Sequence, residues 1–171
     1  MSLITALAVA IGLLGGLLSW LILGPLGGTG LQLWAAFIAW ASFYSAGGKE
    51  AGLQSSLIGG IWGAIMGWAA LMGINALAGA GLAVPVAAAI AVAVTIIIMI
   101  LGANIPALSS IPSAVYGYAS VAAFALLAGK LGSLMSLPGM GDNPLTTIIA
   151  SLIVGAAFGL ISEKVAGALA S

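Results

Sequence analysis

LITALAVAIGLLGGLLSWLIL, residues 3–23, carries no charged side chain and no proline, and its length sets the class of the whole chain. At about 1.5 Å of rise per residue such a helix reaches about 30 Å, the thickness of a bilayer's hydrocarbon core. No basic segment precedes it, and it is longer than the apolar region of a signal peptide, so it is read as a first membrane span rather than a cleaved leader. The rest of the chain extends the pattern outward. Charged residues are 4% of 171 positions against 63% hydrophobic ones, and Lys49, Glu50, Lys130, Asp142, Glu163 and Lys164 all stand at breaks or ends of apolar runs. A charge at the centre of a membrane helix costs about 3 kcal/mol on insertion scales, so membrane segments carry one chiefly where function requires it. No segment here does.

Apolar runs bounded by Gly, Pro, Asn and charge define six helices: Leu3 to Leu23, Leu31 to Ala46, Gly52 to Ala76, Leu82 to Leu101, Ile111 to Ala128, and Leu145 to Ala168. The expected fold is an all-α membrane protein, a single integral membrane domain over residues 1–171. The second helix is short for a full crossing, and Pro106 and Pro112 break the entry to the fifth, so both are expected as full or partial spans.

These two segments hold matching places in an internal repeat of about 1–80 and 81–171. Leu21-Ile22-Leu23-Gly24 matches Met99-Ile100-Leu101-Gly102, and Trp40-Ala41-Ser42 follows the first glycine at the distance by which Tyr118-Ala119-Ser120 follows the second. Ser56, Gly60 and Ala64 correspond to Ser151, Gly155 and Gly159 after an insertion around Lys130 to Gly141. Three spans per half is an odd number, so the halves are expected to be inverted, with solute sites near the midplane where short helices meet. Lys49 and Lys164 fall with both termini and Lys130 opposite, which predicts N-in and C-in by the positive-inside rule.

The composition excludes much chemistry. Cysteine and histidine are absent, removing disulfides, thiolate nucleophiles, zinc sites and imidazole bases; no cofactor and no metal is expected. A net charge of zero without a basic cluster argues against nucleic acid as a partner, leaving the lipid bilayer, a small neutral solute and further copies of the chain. Hydroxyls occur in the apolar segments, but no His, Asp or Lys lies there to activate one, so the chain is not expected to be an enzyme.

Candidate functional residues lie on two small-residue stripes. Ala35, Ala39, Ser42 and Ala46 recur at helical spacing, and Ser113, Gly117 and Ser120 repeat the first three places. Facing one another, these stripes would offer the hydroxyls of Ser42 and Ser120 to a solute; they would equally serve as close-packing seams, each serine bonded to a carbonyl one turn earlier. Of the flanking aromatics, Trp40, Tyr44 and Tyr118 are assigned to the path, where rings form an apolar constriction that rejects hydrated ions. Trp34 is assigned to an interfacial belt. Small residues at Gly12-Gly16, at Gly59-Gly63-Gly67 with Gly60, and at Gly155-Gly159 predict close helix packing, and more such faces than six short helices use internally predict a homo-oligomer. Gln54, Asn104 and Asn143 sit at helix ends, as caps or as a polar vestibule. Asp142-Asn143-Pro144 reads most simply as a helix start.

Gly15-Gly16-Leu17-Leu18-Ser19-Trp20, Leu33-Trp34-Ala35-Ala36-Phe37 with Tyr44 and Gly47-Gly48, and the run from Ser151 to Gly159 resemble the small bacterial inner-membrane protein family of unknown function that includes YcdZ. The likeness runs over nearly the whole chain, which departs from it in ending without a polar tail. It implies a bacterial inner (cytoplasmic) membrane location and transfers no catalytic residue. Together these readings favour a passive channel or facilitator for small polar uncharged solutes such as urea, ammonia, short amides or alcohols. The alternative is a non-transporting scaffold or accessory subunit that binds a partner through its glycine faces.

Overall fold

The computed structural model describes residues 1–136 and 139–170, which form six α-helices joined by loops and short 3-10 turns, with no strand among the described residues. They are α1 (Leu3–Leu23), α2 (Leu33–Ser45), α3 (Lys49–Gly79), α4 (Val84–Leu101), α5 (Ile111–Leu127) and α6 (Pro144–Ala170). Helices α1, α3, α4 and α6 are long and apolar enough to cross a membrane, which marks the chain as a membrane protein. Helix α2, with 13 residues, reaches only about 20 Å, and α5, with 17, about 26 Å. Both fall short of the core thickness.

Helix ends follow local chemistry. The Ser2 hydroxyl accepts the Thr5 N–H at 3.2 Å to start α1, and prolines in the first turns of α4 and α5 sit where no amide donor is needed. The start of α3 lies earlier than the apolar run indicates, at Lys49 rather than Gly52. Gly47 and Gly48 both take positive φ (97° and 68°) and Lys49 follows at 58°, so the chain reverses within the turn and both charged residues join the first helical turn. Glu163 of α6 stabilises this turn, its carboxylate accepting the Lys49 N–H at 2.7 Å.

The helices alternate in direction. The Met1 ammonium donates to the Leu169 carbonyl at 3.3 Å, and Lys164 pairs with Glu50 at 3.2 Å, so both termini and four charges share one end of the bundle. The Lys130–Asp142 pair, at 2.7 Å, precedes α6 at the other end.

Packing divides the bundle into two groups that are not the sequence halves. Helices α4 and α5 pack on α3, while α1 and α2 pack on α6. Glycine makes both associations possible. A Cβ at Gly63 would overlap the Ala114 carbonyl of α5, and one at Gly155 would overlap the Ala36 carbonyl of α2. The groups meet chiefly through α3 against α6, and also through α2 against α3 and α5 and through α5 against α6, around a buried core including Ala39, Ala64, Val121, Phe124, Ile148 and Leu152. Outward, α1 and α4 expose Leu13, Trp20, Val94 and Ile97, a surface suited to acyl chains rather than water.

Candidate functional site

The small-residue stripes come together where α2 meets α5. Ser42 Oγ donates to Ser113 Oγ at 2.9 Å, and Ser113 shares a 2.7 Å bond with Ser110. Among the described residues this Ser42–Ser113 contact is the one buried hydrogen bond between side chains that joins the two helix groups. Ser120 lies two turns beyond Ser113 on the same helical face, is 1% exposed, and its hydroxyl has no hydrogen-bond partner among the described residues. Ala35 and Ala39 of the α2 stripe are buried in the core with Val121 and Phe124 and bring no side-chain polar atom. Gly117 of the same stripe turns toward α3 instead, where a Cβ would overlap the Gly60 carbonyl.

The aromatic side chains direct their polar atoms away from this seam. Trp40 is buried, and its indole Nε1 donates to Ser162 Oγ of α6 at 3.0 Å; the Tyr44 hydroxyl meets the same oxygen at 2.8 Å. Tyr118 pairs with Thr95 of α4 at 3.1 Å. All three therefore bind within their own helix group. Trp34 is exposed at the start of α2, its indole donating to Gln32 at 3.2 Å.

The glycines divide into used and unused faces. Gly59, Gly60, Gly63 and Gly67 take up the α5 backbone, Ser113 and Leu152, while Gly155 and Gly159 take up α2. Gly12 and Gly16 on α1 are exposed, with nothing within 4 Å of a Cβ built there. At the helix ends, Asn143 Oδ1 accepts the N–H groups of Leu145 (2.9 Å) and Thr146 (3.2 Å), a capping geometry, and its Nδ2 donates to the Ser136 carbonyl. Asn104 closes α4 by donating to the Leu101 carbonyl at 2.8 Å, and Gln54 is exposed. No group of three or more Asp or Glu side chains able to hold a metal exists among the described residues.

Two residues that matter here carry little signal in the sequence. Ser162 shares a helix face with Gly155 and Gly159, which could have marked it as an α2 contact, but its role as acceptor for Trp40 and Tyr44 depends on tertiary placement. Glu163 reads as a boundary charge until the Gly48–Lys49 turn is seen against it.

The family model described as "Protein of unknown function (DUF1097)" matches residues 8–167. The chain belongs to this family. The DUF1097 match includes all of α2 to α5 and most of α1 and α6, and so every candidate residue named above. No curated protein and no solved structure matches the chain.

Proposed function

We propose that the chain is a passive facilitator of small, polar, uncharged solutes across the bacterial inner membrane, with both termini in the cytoplasm, built from two inverted three-helix repeats. The observation that carries this reading is Ser120, a hydroxyl 1% exposed and without a hydrogen-bond partner among the described residues, on the same face of α5 as Ser113. A buried polar group left unpaired costs about 1–3 kcal/mol, a cost that a visiting molecule pairing with it would offset. Packing supports the inverted repeat at the level of helices: Ala36 and Ala114 stand at the same interval as Trp40 and Tyr118, and each is met by a glycine of the third helix of a half, Gly155 and Gly63 respectively, three places out of the register that pairs Gly155 with Gly60. Helix directions alternate, so the two triplets run in opposite senses. The absence of any charge on the seam fits a passive route. Passage requires the two groups to part where Ser42 now touches Ser113.

The test is light-scattering stopped flow on proteoliposomes challenged in turn with urea, ammonia, glycerol, formamide and a sodium gradient. Faster entry of a neutral solute, unaffected by collapsing ion gradients, is expected. Flux equal to empty liposomes, with the protein folded and inserted, would overturn the reading. A second reading, a membrane scaffold, draws on the unused Gly12–Gly16 face of α1, which is shaped for close approach by another helix. It predicts a second protein recovered in stoichiometric amount from native membranes and no solute flux.

A further inference from the structure

A cavity of about 320 Å³ lies between the start of α2 and the end of α5, lined by Gln32, Trp34, Ala123, Phe124, Leu127 and Ala128. Because α2 and α5 run in opposite senses, this is the end of their interface away from the Ser42–Ser113 bond. The volume is at the small end of ligand-binding cavities, and no lining side chain carries a charge. Its polar side chains are the Gln32 amide and the Trp34 indole, bonded to one another at 3.2 Å.

Ser120, Ala123, Phe124 and Leu127 follow the i, i+3, i+4, i+7 spacing of one helix face. The cavity wall therefore runs down α5 toward Ser120 and stops one turn short of it, at Phe124. In a helix an aromatic side chain leans back toward the N-terminus, over the preceding turn, which for Phe124 is the turn holding Ser120 and Val121. The ring is 5% exposed and belongs to the same buried cluster as Val121 and as Ala35 and Ala39 of α2. It thus has packed core on one side and the cavity on the other. A ring enclosed all round is held in place, whereas one with space beside it can pass between the two χ1 wells open to helical aromatic residues.

We infer that Phe124 is the barrier of the solute route: its ring separates the cavity from the Ser120 hydroxyl, and the opening it leaves on turning sets the size of the molecule admitted. The cavity is then the entry chamber on the side opposite the termini, and its uncharged wall suits neutral molecules, since an ion would lose its hydration there without compensation. This inference rests on the facilitator reading and adds to it the residue that closes the route.

The chain has no cysteine, so single introduced thiols report access directly. Ser120→Cys, Ala123→Cys and Ser56→Cys are each reacted with methyl methanethiosulfonate in proteoliposomes of the full chain. Each is studied with Phe124 intact, with Phe124→Leu and with Phe124→Ala, and labelling is timed by mass spectrometry. Ala123 lines the cavity, and Ser56, 4% exposed on α3, reports loosening of the bundle as a whole. The thiol of Ser120→Cys is expected to react slowly beside Phe124 and about tenfold faster or more with Phe124→Ala, with Phe124→Leu between them, because the rate follows the open fraction. Ala123→Cys and Ser56→Cys are expected to keep their rates. In stopped flow, Phe124→Ala is expected to speed urea entry and to extend entry to the bulkier erythritol. Labelling of Ser120→Cys that ignores the residue at position 124, or that already equals that of Ala123→Cys, would overturn the inference and leave the facilitator standing. Equal acceleration of Ser56→Cys in both Phe124 variants would overturn it as well, as general loosening. Labelling of Ala123→Cys as slow as that of Ser56→Cys would mean that an acyl chain fills the cavity, and would overturn its use as an entry. Acceleration confined to Ser120→Cys without flux of any solute would instead remove the facilitator reading, and the gating role with it.

Discussion

The glycine seams and the hydroxyl seam use residues of similar size to opposite ends. Within each group, Gly63 lies against Ala114 and Gly155 against Ala36 so closely that even a methyl group has no room. Backbones at that distance gain dispersion contacts along whole turns and have no alternative arrangement nearby. Between the groups, α3 and α6 share an apolar core with α2 and α5, while α2 and α5 themselves meet through one buried side-chain bond, and the Ser120 hydroxyl of α5 has no partner among the described residues. Close-packed glycine fixes two helices into one body. On the facilitator reading, the α2–α5 hydroxyls are where the two groups would part, against the α3–α6 packing that also joins them.

Substitutions sharpen the contrast, beginning with the fixed contacts. Gly63→Val and Gly155→Val each force a branched side chain into a backbone carbonyl, with an expected loss of about 3 kcal/mol or more, read as collapse of the gel-filtration peak and a large fall in melting temperature in detergent. Ser42→Leu combined with Ser120→Leu overfills the hydroxyl seam by side chains alone; flux is expected to vanish while the helical spectrum persists, at a stability cost of about 1–3 kcal/mol. Unchanged flux in that variant would show that the route lies elsewhere. Glu163→Gln keeps an acceptor near the Lys49 amide but removes the charge at the start of α3, and is expected to cost about 0.3–1 kcal/mol, measurable by thermal denaturation at low and high salt. The smallest loss is expected at α1: Gly12→Ala with Gly16→Ala meets open space and should cost the isolated chain no stability, alanine being the better helix former. A larger change in native membranes than in dilute detergent would show that face to be covered by another helix.

Much of this architecture is legible from residue order. Long uncharged runs specify α1, α3, α4 and α6 because a membrane segment must satisfy its own backbone and bury no charge. The shortness of α2 and α5 and the small-residue stripes are equally visible, since they are one-dimensional spacings. Partner choice is not. Gly155 and Gly159 announce a close contact but not that Ala36 and Phe43 fill it, and the pairing of α6 with α1 and α2 arises only once all six helices are present. The aromatic assignments show the same boundary. Trp40, Tyr44 and Tyr118 are at the expected places along their helices, yet the direction of an indole or phenol depends on an acceptor such as Ser162 more than a hundred residues away in sequence.

The exchange of third helices between groups has a consequence for assembly during synthesis. Helices α3, α4 and α5 are consecutive in the chain and pack on one another, so that group can close as soon as α5 leaves the ribosome. Helices α1 and α2 make little contact with each other and find their main surface on α6, the last to be made. The first two segments synthesised must therefore wait in the bilayer, with the Ala36 backbone uncovered, until the chain is almost complete. A ribosome stalled between α5 and α6 should yield a protease-resistant α3–α5 core and a labile amino-terminal hairpin, and completion of α6 should protect both together.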